Sequence, residues 1–179
     1  MPGKNLLKPD LIVAGPVSDL SFAWLKQRDI AGLILDLDDT LLALGEQMVN
    51  TRVVEWVARA RLEFRLYIVS NNPNRNFIEP IALSLSLPFI NRAAKPSRRA
   101  LRRVLQEMQL PPERVAIVGD RLLTDVLAGN RLGLVTVLVE PPGPSRALRG
   151  SWLRAVERSF SSRMWWWPAR GIPPGADLK

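Results

Sequence analysis

The sequence predicts an α/β fold with a parallel sheet flanked by helices, and three observations predict it. Runs of apolar, often β-branched residues at 32–38, 65–71 and 114–120 each end abruptly in polar side chains, as strands buried on both faces do. Helical apolar stripes lie between these runs. Strands alternating with helices pair in parallel, and right-handed crossovers bring their carboxyl ends to one edge of the sheet.

In chain order, residues 1–29 form an N-terminal segment expected to pack on the core, which spans 30–140. The first strand, 32–38, carries the acidic residues Asp36 and Asp38 at its end. A helix follows at 51–63, with Val53, Val54, Val57 and Ala60 on one stripe. The strand 65–71 ends in Ser70 and Asn71. A helix is expected over 74–85, interrupted at Pro80 because proline lacks the amide donor. The helix 97–108 shows Leu101, Val104, Leu105 and Met108 on one face, and the strand 114–120 ends in Asp120. A helix over 124–132 and a last strand over 134–139 complete the core. Little chain is left over between these elements: 40–70 must hold a helix and a strand, and 70–95 one helix and a short extended piece.

Composition narrows the chemistry. The chain has 179 residues, enough for one domain plus tails. It contains no cysteine and no histidine, which excludes disulfides, Cys or His zinc sites, cysteine nucleophiles and Ser-His-Asp triads. Carboxylates, hydroxyls, amines or a hard metal ion must do the work, and oxygen ligands make Mg2+ the natural candidate. Mean hydropathy is +0.01, and no apolar run reaches the roughly 18 residues that span a bilayer. The expected location is the cytoplasm.

By topology, Asp36, Ser70 and Asp120 meet at one sheet edge, where such folds bind ligands. Each alone reads better as a strand or helix cap; together they weaken that reading. Asp36 and Asp38, two apart in extended backbone, face one side and can converge on one atom if a cation offsets their repulsion. Asp39 is expected to turn away. Thr40 either orders the loop by hydrogen bonding or caps a helix.

Four ordered motifs resemble those of the haloacid dehalogenase (HAD) superfamily: Asp36 to Thr40 in the form DxDxT, Ser70, Lys95 within 94–96, and Gly119-Asp120 with Asp125. The resemblance spans about 30–139 and implies a Rossmann-like HAD fold without a cap domain. It implies an aspartyl-phosphate mechanism in which Asp36 is the nucleophile and Asp38 the acid and then the base. It further implies Mg2+ held by Asp36, the Asp38 carbonyl and Asp120, with Asp125 and Thr40 around them. Ser70 and Lys95 would bind the phosphoryl group; a solvated surface lysine is the alternative for Lys95, given Arg92, Arg98 and Arg99 nearby. Asn71 and Asn72 either touch the substrate's phosphate or glycerol or form a turn.

Finer matches at 5–10, 35–41, 69–72, 118–125 and 129–131 resemble the YqeG-type HAD-IIIA group, which includes phosphatidylglycerophosphate phosphatases. The implied reaction is hydrolysis of phosphatidylglycerophosphate to phosphatidylglycerol and phosphate. A target at a nucleic-acid or phosphoprotein end is the alternative suggested by the net charge of +8, but aromatics interleaved on strands are missing and nucleic acid is not the expected partner. A non-enzymatic HAD-fold assembly factor is a third reading, opposed by the reactive residues in all four motifs.

The tail, 141–179, is basic and rich in tryptophan. Trp152, Leu153, Val156 and Phe160 share a helical face, Arg149, Arg154 and Arg158 lie off it, and Trp165, Trp166 and Trp167 follow. That pattern predicts contact of 146–167 with an anionic membrane, hence a peripheral protein acting on a phospholipid; a helix packed on the core, or disorder, is the alternative.

Overall fold

The computed structural model describes residues 5–142. The tail expectation, with its membrane helix at 146–167, falls outside the described residues.

Six parallel strands form one sheet in the order β1-β6-β5-β2-β3-β4. They are β1 (Leu11–Ile12), β2 (Gly32–Leu35), β3 (Arg65–Val69), β4 (Phe89–Ile90), β5 (Val115–Gly119) and β6 (Val135–Leu138). The central three are those the apolar runs predict. Leu35 pairs in register with Ile68 of β3 and with Val118 of β5. Asp36, Ser70 and Asp120 therefore emerge at nearly the same level, just beyond the ends of adjacent strands.

Alternation along these strands feeds two cores. Leu33, Leu35, Leu66, Ile68, Ala116 and Val118 face one layer, built by α1 (Phe22–Gln27), α2 (Thr51–Ala60) and α3 (Arg75–Ser84). Ile34, Tyr67, Val69, Val115 and Ile117 face the other, covered by α4 (Arg99–Met108) and α5 (Leu127–Asn130). Burial on both faces explains why these strands read as continuous apolar runs. Trp56 of α2 is buried and donates its indole N–H to the Leu20 carbonyl at 3.2 Å, tying the N-terminal segment to the first layer.

Residues 5–29 supply the edge strand β1 and the helix α1. Three expectations are corrected. β2 ends at Leu35, not at Asp38: the Leu37 carbonyl accepts from the amides of Thr40, Leu41 and Leu42 and winds the DxDxT segment into a tight turn. Pro80 does not interrupt α3; it lies on the exposed side of a continuous helix, where the carbonyl it leaves without a donor costs least. The expected helix 124–132 begins as a π-helical turn, Leu122–Val126, before α5.

Candidate active site

The sheet edge gathers the residues singled out by sequence, but sorts them into two groups. The first is charged and buried. Lys95 Nζ lies 2.8 Å from Asp36 Oδ1 and 2.6 Å from Asp125 Oδ1, and donates to the Val69 carbonyl at 2.7 Å. Its side chain is buried, so the alternative of a solvated surface lysine is excluded. Carboxylate oxygens of Asp36, Asp120 and Asp125 all lie within 4.8 Å of one another. Asp125 arrives through the π-helical turn, whose wider winding is common at functional sites. Gly119 leaves the room: a Cβ there would stand 2.4 Å from Asp125 Cγ.

The second group is neutral apart from Asp38. Because the DxDxT segment turns, the Asp38 carboxylate leaves Asp36 and faces β3, accepting from Ser70 Oγ at 3.1 Å and from Asn72 Nδ2 at 3.4 Å. The expectation that the two carboxylates converge through extended backbone is thus corrected, and the acid that joins Asp36 and Asp120 is Asp125. Ser70 is fully buried, and its hydroxyl also accepts from the Asn72 amide at 2.9 Å. Asp39 turns away as expected, at φ 59°, accepting from the Leu44 amide at 3.1 Å. Thr40 is buried, and its hydroxyl has no hydrogen-bond partner among the described residues.

Asn71 joins the two groups in a way the sequence did not reveal. Its side-chain oxygen accepts from the Lys95 amide at 2.7 Å and its nitrogen donates to the Lys95 carbonyl at 3.0 Å. Both ends of the amide are spent on the lysine backbone, so here Asn71 positions Lys95. The loop it grips is strained, with Arg92 and Ala94 at φ 51° and 54°, a cost that persists only where surroundings enforce it. Asn72, expected as a substrate contact or a turn residue, donates to Asp38 and accepts from the Asn74 amide at 2.9 Å.

Electrostatics separate the groups further. Burial pushes the Asp36 carboxyl up from 3.8 to about 6, against the pull of Lys95 and with a push from Asp125. Burial, then the charges of Asp36 and Asp125, push Asp120 up to about 7. Burial pulls Lys95 down, but the carboxylates of Asp125 and Asp36 outweigh it, so the ammonium persists above its ordinary range. Lys95 thus serves Asp36 and Asp125, and Arg121 stands 3.7 Å from Asp120; Asp120 Oδ1 is buried without a hydrogen-bond partner among the described residues. An all-oxygen donor set with an orphaned acceptor and excess negative charge fits a hard divalent cation, for which Asp36, Asp120 and Asp125 are the candidate ligands.

A buried acid, a buried lysine and a cluster of three carboxylates at a parallel-sheet edge agree with what comparison finds. The "Probable phosphatase YqeG" of Bacillus subtilis (strain 168) is 39% identical over 90% of this chain and 93% of its own length. This chain belongs to the HAD superfamily, in its YqeG group. Residues 92–146 match the family described as HAD-hydrolase-like. The "Phosphatidylglycerophosphate phosphatase 1, chloroplastic" of Chlamydomonas reinhardtii is 26% identical over 97% of this chain and 67% of that protein. Among solved structures, the cobalt-bound deoxy-D-mannose-octulosonate 8-phosphate phosphatase of Haemophilus influenzae has a TM-score of 0.50 at 15% identity, covering 75% of this chain and 93% of that one; it shares the fold. The chain is a HAD-family phosphatase, which displaces the non-enzymatic reading.

Proposed function

We propose that this HAD phosphatase hydrolyses phosphatidylglycerophosphate through an aspartyl phosphate on Asp36. The observation that carries the mechanism is Lys95, held in a buried cluster between Asp36 and Asp125 while Asp38 stands apart on neutral donors. An Asp36 oxygen forms the bond to phosphorus as the bond to the leaving oxygen breaks, and Asp38 in its acid form gives its proton to that oxygen. A water then forms the next bond to phosphorus, the Asp36–phosphorus bond breaks, and the water proton passes to Asp38. Lys95 offsets charge on Asp36 and on the incoming phosphoryl group. A Mg2+ ion held by Asp36, Asp120 and Asp125, with the Asp38 carbonyl as expected from sequence, would neutralise phosphoryl oxygens.

The substrate assignment rests on two supports. One is the likeness to the Chlamydomonas phosphatidylglycerophosphate phosphatase. The other is the edge that the described residues leave open: between Thr40 and Ser70 the chain builds only α2 and β3, and between Ser70 and Lys95 only α3 and β4. An uncovered site does not enclose a small metabolite, so it suits a substrate that brings its own bulk or surface. The peripheral membrane location follows from this reading. Among the described residues no helix is long and apolar enough to cross a membrane.

The test is phosphate release from vesicles containing phosphatidylglycerophosphate with Mg2+. The full chain should turn this lipid over, and Asp36→Asn should lose at least about 10⁴-fold in kcat/KM. Efficient cleavage of oligonucleotide ends or phosphopeptides with none of the lipid would move the assignment to those substrates.

A further inference from the structure

Two loops that aim acids into the site aim leucines away from it. After DxDxT, Asp39 holds the Leu44 amide, and the turn at 43–46 closes through Glu46 N to the Ala43 carbonyl at 3.0 Å with Gly45 at φ 83°. Leu44 is left 87% exposed and Met48, further along, 82%. After β5, the π-helical turn sends Asp125 inward and leaves Leu123 65% exposed. Both loops follow strand carboxyl ends, so all three side chains stand on the edge that holds the site.

The same edge carries arginines. Arg92 follows β4 and is exposed, Arg98 precedes α4, and Arg121 follows Asp120. Among the described residues, Arg92 and Arg98 have no carboxylate within ion-pair distance, and Arg121 has only Asp120, 3.7 Å away. Glu46 is the exposed acid on the facing loop. Leu62 and Leu83 are as exposed, at 86% and 71%, but lie toward the far ends of α2 and α3, at the opposite edge. Solitary exposed leucines are ordinary; apolar tips interspersed with arginines around a site that the described residues leave uncovered are an interfacial pattern.

We propose that the rim formed by Leu44, Met48 and Leu123 with Arg92, Arg98 and Arg121 is a docking surface for an anionic lipid bilayer, seating the open site against the headgroups. The proposal rests on the phospholipid reading of the site and adds a contact surface within the core, independent of the tail. The apolar tips enter the headgroup boundary, and the guanidiniums meet lipid phosphates.

The chain has no cysteine, so single labels test this in the full-length protein. Leu44→Cys, Met48→Cys and Leu123→Cys, each carrying an environment-sensitive fluorophore, should shift to the blue with phosphatidylglycerol-containing vesicles and less with phosphatidylcholine alone. Leu62→Cys and Leu83→Cys should not shift. The double variant Leu44→Asp with Leu123→Asp should partition about tenfold more weakly onto anionic vesicles while cleaving a small soluble phosphate ester at the wild-type rate. Silence at 44, 48 and 123, or equal shifts at 62 and 83, would overturn the docking surface. So would a shift that grows with protein concentration without vesicles, which would give the rim to a second copy of the chain. Docking without phosphate release from the lipid would instead remove the substrate assignment and leave the surface standing. Lipid hydrolysis in detergent without any shift would do the reverse.

Discussion

Asp36 and Asp38 stand two residues apart, yet they face different surroundings. Asp36 shares a buried cluster with Asp120, Asp125 and the ammonium of Lys95. Asp38 is half-buried, and among the described residues its carboxylate accepts from the neutral donors Ser70 and Asn72. The difference teaches how one short motif supplies two kinds of acid: a charged frame suits a group that must take on a phosphoryl unit, and neutral donors suit one that must hold and release a proton. The turn centred on the Leu37 carbonyl keeps the two apart.

The largest test of this division is Lys95→Met. Removing the cation from a buried triad leaves Asp36 and Asp125 opposed without compensation, at a cost of about 3–5 kcal/mol in urea unfolding without divalent ions. Phosphate ester turnover should fall by about 10³-fold. A loss below about 1 kcal/mol would mean that the charged group does not depend on its lysine.

A second test uses pH. Asp36 and Asp120 have folded values of about 6 and about 7, raised from 3.8, so the fold binds their protons more tightly than the unfolded chain does. Their contribution to stability is complete below about pH 4 and is lost as pH rises through 6 and 7. Without divalent ions, wild type should melt lower at pH 8 than at pH 5.5, and Mg2+ should restore most of the difference. Asp120→Asn should melt higher than wild type at pH 8 in chelator and gain less from Mg2+. If that variant melts lower in chelator, repulsion does not dominate the cluster.

The smallest effect is expected on the neutral side. Ser70→Ala removes one donor to Asp38 and the acceptor for the Asn72 amide, and should lower kcat about tenfold with KM little changed. A rise in KM alone would show that Ser70 contacts the phosphate instead of positioning Asp38.

Much of the fold was legible because β2, β3 and β5 are buried on both faces and so appear as unbroken apolar runs. β1 was not, and β4 showed only as an unplaced short extended piece before 95, since two-residue, half-buried edge strands leave no periodic signal. Lys95 sat in sequence among Arg92, Arg98 and Arg99 and gave no sign that its side chain is buried. Asn71 looked like a turn residue or a phosphate contact, because its clamp on Lys95 joins residues 24 positions apart.

The sequence by itself determined that acids and a hydroxyl would gather at the end of a parallel sheet, since strand order along the chain and the handedness of crossovers suffice for that. It also determined the chemistry open to them, by withholding every thiol and imidazole. Only the tertiary structure decided which carboxylates share the lysine and which stands apart. Partition of charge depends on turns, rotamers and burial that long-range packing sets, and two aspartates in one motif are chemically identical until that packing surrounds them.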